Sequence, residues 1–143
     1  MCAALRNWVK LTRAAAKEPT HIKELVPDEP SYKGILDAAG AWGAGGVWVP
    51  GTEELAPIVW RLKWPDEVLA KLVTADNPDG NITISDLEMA VEVLGFLVLE
   101  ACVPLRWKHV GVCSDNTATV AWQGRGASTR SVVANRLLCV LAI

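Results

Sequence analysis

The chain has 143 residues, 51% hydrophobic and 21% charged, which is enough apolar material for one domain with its own core. No run reaches the roughly 18 apolar residues of a membrane span, because Glu92, Glu100 and Pro104 break the most apolar stretch, Met89 to Leu105. The net charge is only −2 but segregated: residues 50–103 hold three Lys/Arg against ten Asp/Glu, and residues 104–143 hold five against one.

Residues 2–17 place Leu5, Trp8, Val9 and Leu11 at helical spacing with Arg6, Lys10 and Arg13 between them, predicting an amphipathic helix. It lacks the apolar core of a signal peptide, so the expectation is an intracellular protein with no membrane partner. Pro19 closes the helix, and residues 19–33, with three prolines, read as an extended linker. Residues 1–33 therefore form a connection, and residues 34–143 the domain proper.

Within the domain, Gly34 to Ala39 is a short apolar strand interrupted by Asp37. A glycine-rich connection follows (Gly40, Gly43, Gly45, Gly46), then a strand at Val47 to Val49 that ends in the turn residues Pro50-Gly51. Ile58 to Trp64 reads as the third strand of an antiparallel meander. Asp76 to Asn81 is dense in turn residues. A helix then starts at Thr83 or Ser85, with Leu87, Val91, Leu94, Val98 and Ala101 on its buried face, and Pro104 bounds it. Val110 to Asp115 has the composition of a fully buried fourth strand. Asn116 to Gln123 and Ser131 to Ile143 are the last helices. The fold class is α/β: three antiparallel strands, a crossover helix and a returning strand parallel to the first.

Asp37 and Asp115 interrupt strands, where a carboxylate is costly unless it is paired or holds a cation. Glu88, a little over one turn into the crossover helix, can lean over the same end of the sheet. Hard cations such as Mg²⁺ or Mn²⁺ take oxygen ligands, and two such ions roughly 4 Å apart suit in-line attack on a phosphodiester. Each acid also has a simpler use. Ser85 to Glu88 fits a capping box, Asp115 can cap the following helix, and Asp37 can steady the glycine-rich turn.

Ile35-Leu36-Asp37-Ala38-Ala39-Gly40 followed by Gly43 to Trp48, Ser85-Asp86-Leu87-Glu88-Met89-Ala90, and Cys113-Ser114-Asp115-Asn116-Thr117-Ala118 occur in the order of the acidic motifs of ribonuclease H domains from reverse-transcribing elements. The chain resembles that family over residues 34–123, and Leu5 to Val26 resembles the segment joining its polymerase and ribonuclease H regions. The resemblance implies a ribonuclease H-like fold and an endonuclease that hydrolyses the RNA strand of an RNA–DNA hybrid. It implies Mg²⁺ or Mn²⁺ on Asp37, Glu88 and Asp115 as catalytic and metal-binding residues, and a polymerase domain of the same polyprotein as a partner. Ser85, Asn116 and Arg125 are the accompanying substrate-binding candidates. The family also implies a fifth strand and a fourth carboxylate. No acid follows Asp115, so the expectation is a truncated domain with slow cleavage, an open strand edge and self-association. The alternatives are a non-catalytic module of the same fold, or a nuclease or recombinase acting on DNA.

Other motifs carry less. The glycines miss the G-x-G-x-x-G spacing, and Asp76 to Gly80 does not register with a calcium loop. Asn81-Ile82-Thr83 is a glycosylation sequon that counts only in a secreted protein. Cys2, Cys102, Cys113 and Cys139 lack zinc-site spacing and read as reduced core thiols. Most of the seven tryptophans read as core, with Trp42 in the glycine-rich turn the exposed one. His21 and His109 read as structural.

Overall fold

The computed structural model describes residues 29–141, together with Val9, Thr12, Arg13, Ala16 and Lys17. Those five are helical. The rest of the helix expected over 2–17, and most of the linker expected over 19–33, lie outside the described residues. The elements are β1 (Tyr32–Ala39), β2 (Gly43–Pro50), β3 (Ile58–Leu62), α1 (Asp66–Leu69), α2 (Ile84–Cys102), β4 (Val110–Cys113), α3 (Thr117–Arg125) and α4 (Val132–Leu141). The described strands form one mixed sheet in the order β3-β2-β1-β4, with β1 parallel to β4 and the other pairings antiparallel. Among the described residues no helix is long and apolar enough to cross a membrane.

Strand alternation decides which face is covered. Tyr32, Gly34, Leu36 and Ala38 of β1 are buried, while Lys33, Ile35, Asp37 and Ala39 lie on an open face. The covered face meets α2, whose Leu87, Val91 and Leu99 join Leu36, Trp48 and Trp64 in the main core. The Trp48 indole N–H donates to the Gly95 carbonyl at 2.8 Å. A Cβ on Gly95 would stand 2.7 Å from Leu36 and 3.2 Å from Trp60, so the missing side chain lets the helix settle close to the sheet. Met89 and Val93, on a second face of α2, form a smaller cluster with Ala134 and Leu138 of α4.

Several expectations are corrected. Three of the glycines assigned to a connection lie inside β2, with Gly45 and Gly46 opposite Asp37 and Leu36. Gly43 has φ of 121°, and a side chain there would collide with the Leu62 carbonyl, so the glycine serves close strand approach. The fourth strand is not fully buried. Among the described residues it pairs only with β1, and it runs from half-buried at Val110 to exposed at Cys113, because apolar composition does not distinguish a central strand from an edge. Cys102, Cys113 and Cys139 are exposed thiols. In α2, Ala101 is exposed and Leu99 fully buried, because this helix buries two faces at once. Trp48 and Trp64 are buried as expected, Trp42 is 84% exposed, and Trp107, read as core, is 62% exposed. The four-residue α1 was not foreseen.

Candidate functional site

The parallel pairing of β1 with β4 runs from Tyr32 opposite Val110 to Ile35 opposite Cys113. Asp115 follows two residues after the end of β4, and its charge acts on Glu88. Glu88 reaches that end of the sheet from α2, where the Ala38 backbone N–H donates to its carboxylate and the Asp37 carboxyl lies within hydrogen-bonding reach. The charges of Asp37 and Asp115 both act on Glu88, so these acids of β1, α2 and the segment after β4 share one electrostatic neighbourhood, although Asp37 lies on the open face of the sheet and α2 covers the other.

Capping leaves these acids available. Thr83, not Ser85, caps α2: its hydroxyl accepts from the Asp86 N–H at 3.2 Å, and the Asp86 carboxylate accepts from the Thr83 N–H at 2.8 Å. The capping-box acid is therefore Asp86, and Glu88 stands free in the second turn. Asn116 caps α3, its side-chain carbonyl accepting from Ala118 and Thr119 at 3.1 Å each, so Asp115 has no capping duty there.

Burial differs from the expectation. Asp37 and Asp115 are exposed, one on the open sheet face and the other in the loop after β4. Glu88 is the buried member, 7% exposed. Its pKa is raised to about 7, first by burial, then by the charge of Asp37, with Asp115 adding to the rise. Only the Ala38 N–H is found pulling the other way among the described residues.

Sequence reasoning missed Glu92. It is 4% exposed, and neither carboxylate oxygen has a hydrogen-bond partner among the described residues. Burial, and then the charge of Glu88, raises its pKa to about 7. The signal was available, since Glu88 and Glu92 are four residues apart on a helix and so share a stripe. Met89 to Leu99 is otherwise apolar, and Glu92 reads there as a mere interruption.

The acids share an electrostatic neighbourhood without a closed cage. Among the described residues no three Asp, Glu, His or Cys side chains are already drawn together as a metal-holding group. Asp37 also borders a broad groove of about 810 Å³ on the open sheet face, beside Ile35, Trp42, Val59, Arg61 and Lys63.

The other candidates have structural partners. The Asn116 side-chain amide donates to the Ser85 hydroxyl at 3.3 Å, joining the N-termini of α3 and α2. Arg125 donates to the Ala121 carbonyl at 3.0 Å from the far end of α3. Comparison of the chain with protein-family models, with curated proteins and with solved structures gives no match.

Proposed function

We propose that this chain is a ribonuclease H-like domain of the kind carried by reverse-transcribing elements, hydrolysing the RNA strand of RNA–DNA hybrids. One observation carries the reading: Glu88, buried on α2, lies close enough to Asp37 of β1 and Asp115 after β4 for both acids to act on it, and its pKa rises accordingly. Acids of a central strand, a crossover helix and the segment after an edge strand thus act on one another through their charge. The strand order and the parallel β1–β4 pair are consistent with that fold.

Asp37, Glu88 and Asp115 fit a Mg²⁺ or Mn²⁺ ion as oxygen donors with surplus negative charge. When bound, such an ion polarises a phosphodiester and lowers the pKa of a water. Glu88, held by the Ala38 N–H, anchors the buried side of the site. Asp37 faces the open groove, where Arg61 and Lys63 offer positive charge to a phosphate backbone and Trp42 an exposed ring.

The test pairs two measurements. Mn²⁺ should raise the melting temperature of the parent, by mass action on the folded state, and Asp37→Asn should lose most of that rise. The parent should cleave the RNA strand of a hybrid slowly, and Asp115→Asn should reduce cleavage to background. No metal response in the parent overturns the reading. The edge of β4 that is unpaired among the described residues favours a second reading, a non-catalytic module that pairs with another chain. A full metal response without any cleavage would select it, and cleavage of DNA alone would reassign the substrate.

A further inference from the structure

We propose that Glu92 belongs to the same divalent-cation site as Glu88, a second carboxylate of α2 that faces the ion from the buried side. This rests on reading the acidic end of the sheet as a Mg²⁺ or Mn²⁺ site. Glu92 lies one helical turn beyond Glu88, on the stripe that runs from the site into the interior. It is 4% exposed, and both its oxygens lack a hydrogen-bond donor among the described residues.

An ionised carboxylate in such a place costs several kcal/mol unless a cation or donors compensate it. The charge found acting on it among the described residues is that of another acid, Glu88, which worsens the cost. A glutamate kept only for packing gains nothing over glutamine or leucine in this position. A glutamate that shares the charge of an ion held at Glu88 does gain something, because the ion supplies the compensation that the surrounding side chains do not.

The experiment titrates Mn²⁺ into the parent, Glu92→Gln, Glu92→Leu, Asp37→Asn and the exposed control Glu100→Gln. Free ion is followed by electron paramagnetic resonance at about pH 8, above the range in which Glu88 and Glu92 titrate. Both Glu92 variants should bind Mn²⁺ about tenfold more weakly than the parent, with metal-free melting temperatures equal or higher. That last condition shows that the loss is not misfolding. Glu100→Gln should match the parent. Parent-like affinity in both Glu92 variants, with binding lost in Asp37→Asn, overturns this inference and leaves the metal-site reading standing. Binding lost in the Glu92 variants but kept in Asp37→Asn supports Glu92 and removes Asp37 from the site. A parent that takes up no Mn²⁺ overturns both.

Discussion

The Asp86 carboxylate, 2% exposed, accepts from the Thr83 N–H and hydroxyl at 2.8 Å each and from the Ser131 hydroxyl. Ser131 in turn accepts from the Ala134 N–H at 2.9 Å, so Asp86 ties the start of α2 to the start of α4. Asp86→Ala should therefore destabilise the protein by about 2–4 kcal/mol, having stripped several donors of one acceptor. Urea unfolding measures it, and a loss under about 1 kcal/mol would show these links to be incidental. Two residues along, Glu88 has no such donors beyond the Ala38 N–H among the described residues, and its variants should change metal response more than fold. The sequence could not separate these fates. Thr83-x-x-Asp86 and Ser85-x-x-Glu88 satisfy the same capping spacing, and only the observed hydrogen bonds choose between them. Asp37, Glu88 and Asp115 were legible as acids in ordered motifs. Glu92 was legible only as the next acid on the stripe of Glu88, because burial without a partner is a property of packing and leaves no mark on composition.

At the scale of elements, α2 is held on two sides, by the sheet through Leu87, Val91 and Leu99 and by α4 through Met89 and Val93. Gly95 sets how closely it lies against the sheet. Gly95→Val should cost about 1–3 kcal/mol, since its branches must displace Leu36 and Trp60 in a close-packed layer. A urea midpoint unchanged from the parent would mean that the helix can back away freely. Regular periodicity made β1, β3, α2, α3 and α4 readable in the chain to within a few residues. Elements whose limits depend on neighbours were harder. β2 absorbed the glycines because Leu62 and Leu36 approach its backbone. β4 looked central because its residues are apolar, although only one partner strand flanks it. α1, four residues after Pro65, is too short to show a period.

For the molecule as a whole, Glu88 and Glu92 couple folding to pH. Both have pKa values raised to about 7 in the fold, so between the ordinary carboxylate value and about 7 the folded state keeps protons that the unfolded chain has released. This stabilisation is complete below the unfolded pKa and is lost as pH rises through about 7. Metal-free protein should accordingly be less stable at about pH 8 than at about pH 5, by on the order of a few kcal/mol. Saturating Mn²⁺ should reverse the slope, because the ion takes the ionised form. Chemical denaturation at the two pH values, with and without Mn²⁺, checks both signs. A flat metal-free profile would mean that both acids are hydrated and ionised throughout.

The three acids of the proposed site are not equally anchored. Asp37 belongs to β1, hydrogen-bonded to neighbours on both sides, and Glu88 to a helix packed on two faces. Asp115 follows a strand of four residues that is bonded, among the described residues, along one side only. The arrangement is a vice with two fixed jaws and one that yields. If an ion binds there as proposed, a grip of that kind would take its bore from what is placed in it, and the same three carboxylates would accept ions of unequal radius. Discrimination between a small ion and a larger one then falls to the ions' own chemistry, to how tightly each keeps its water and how many oxygens it demands.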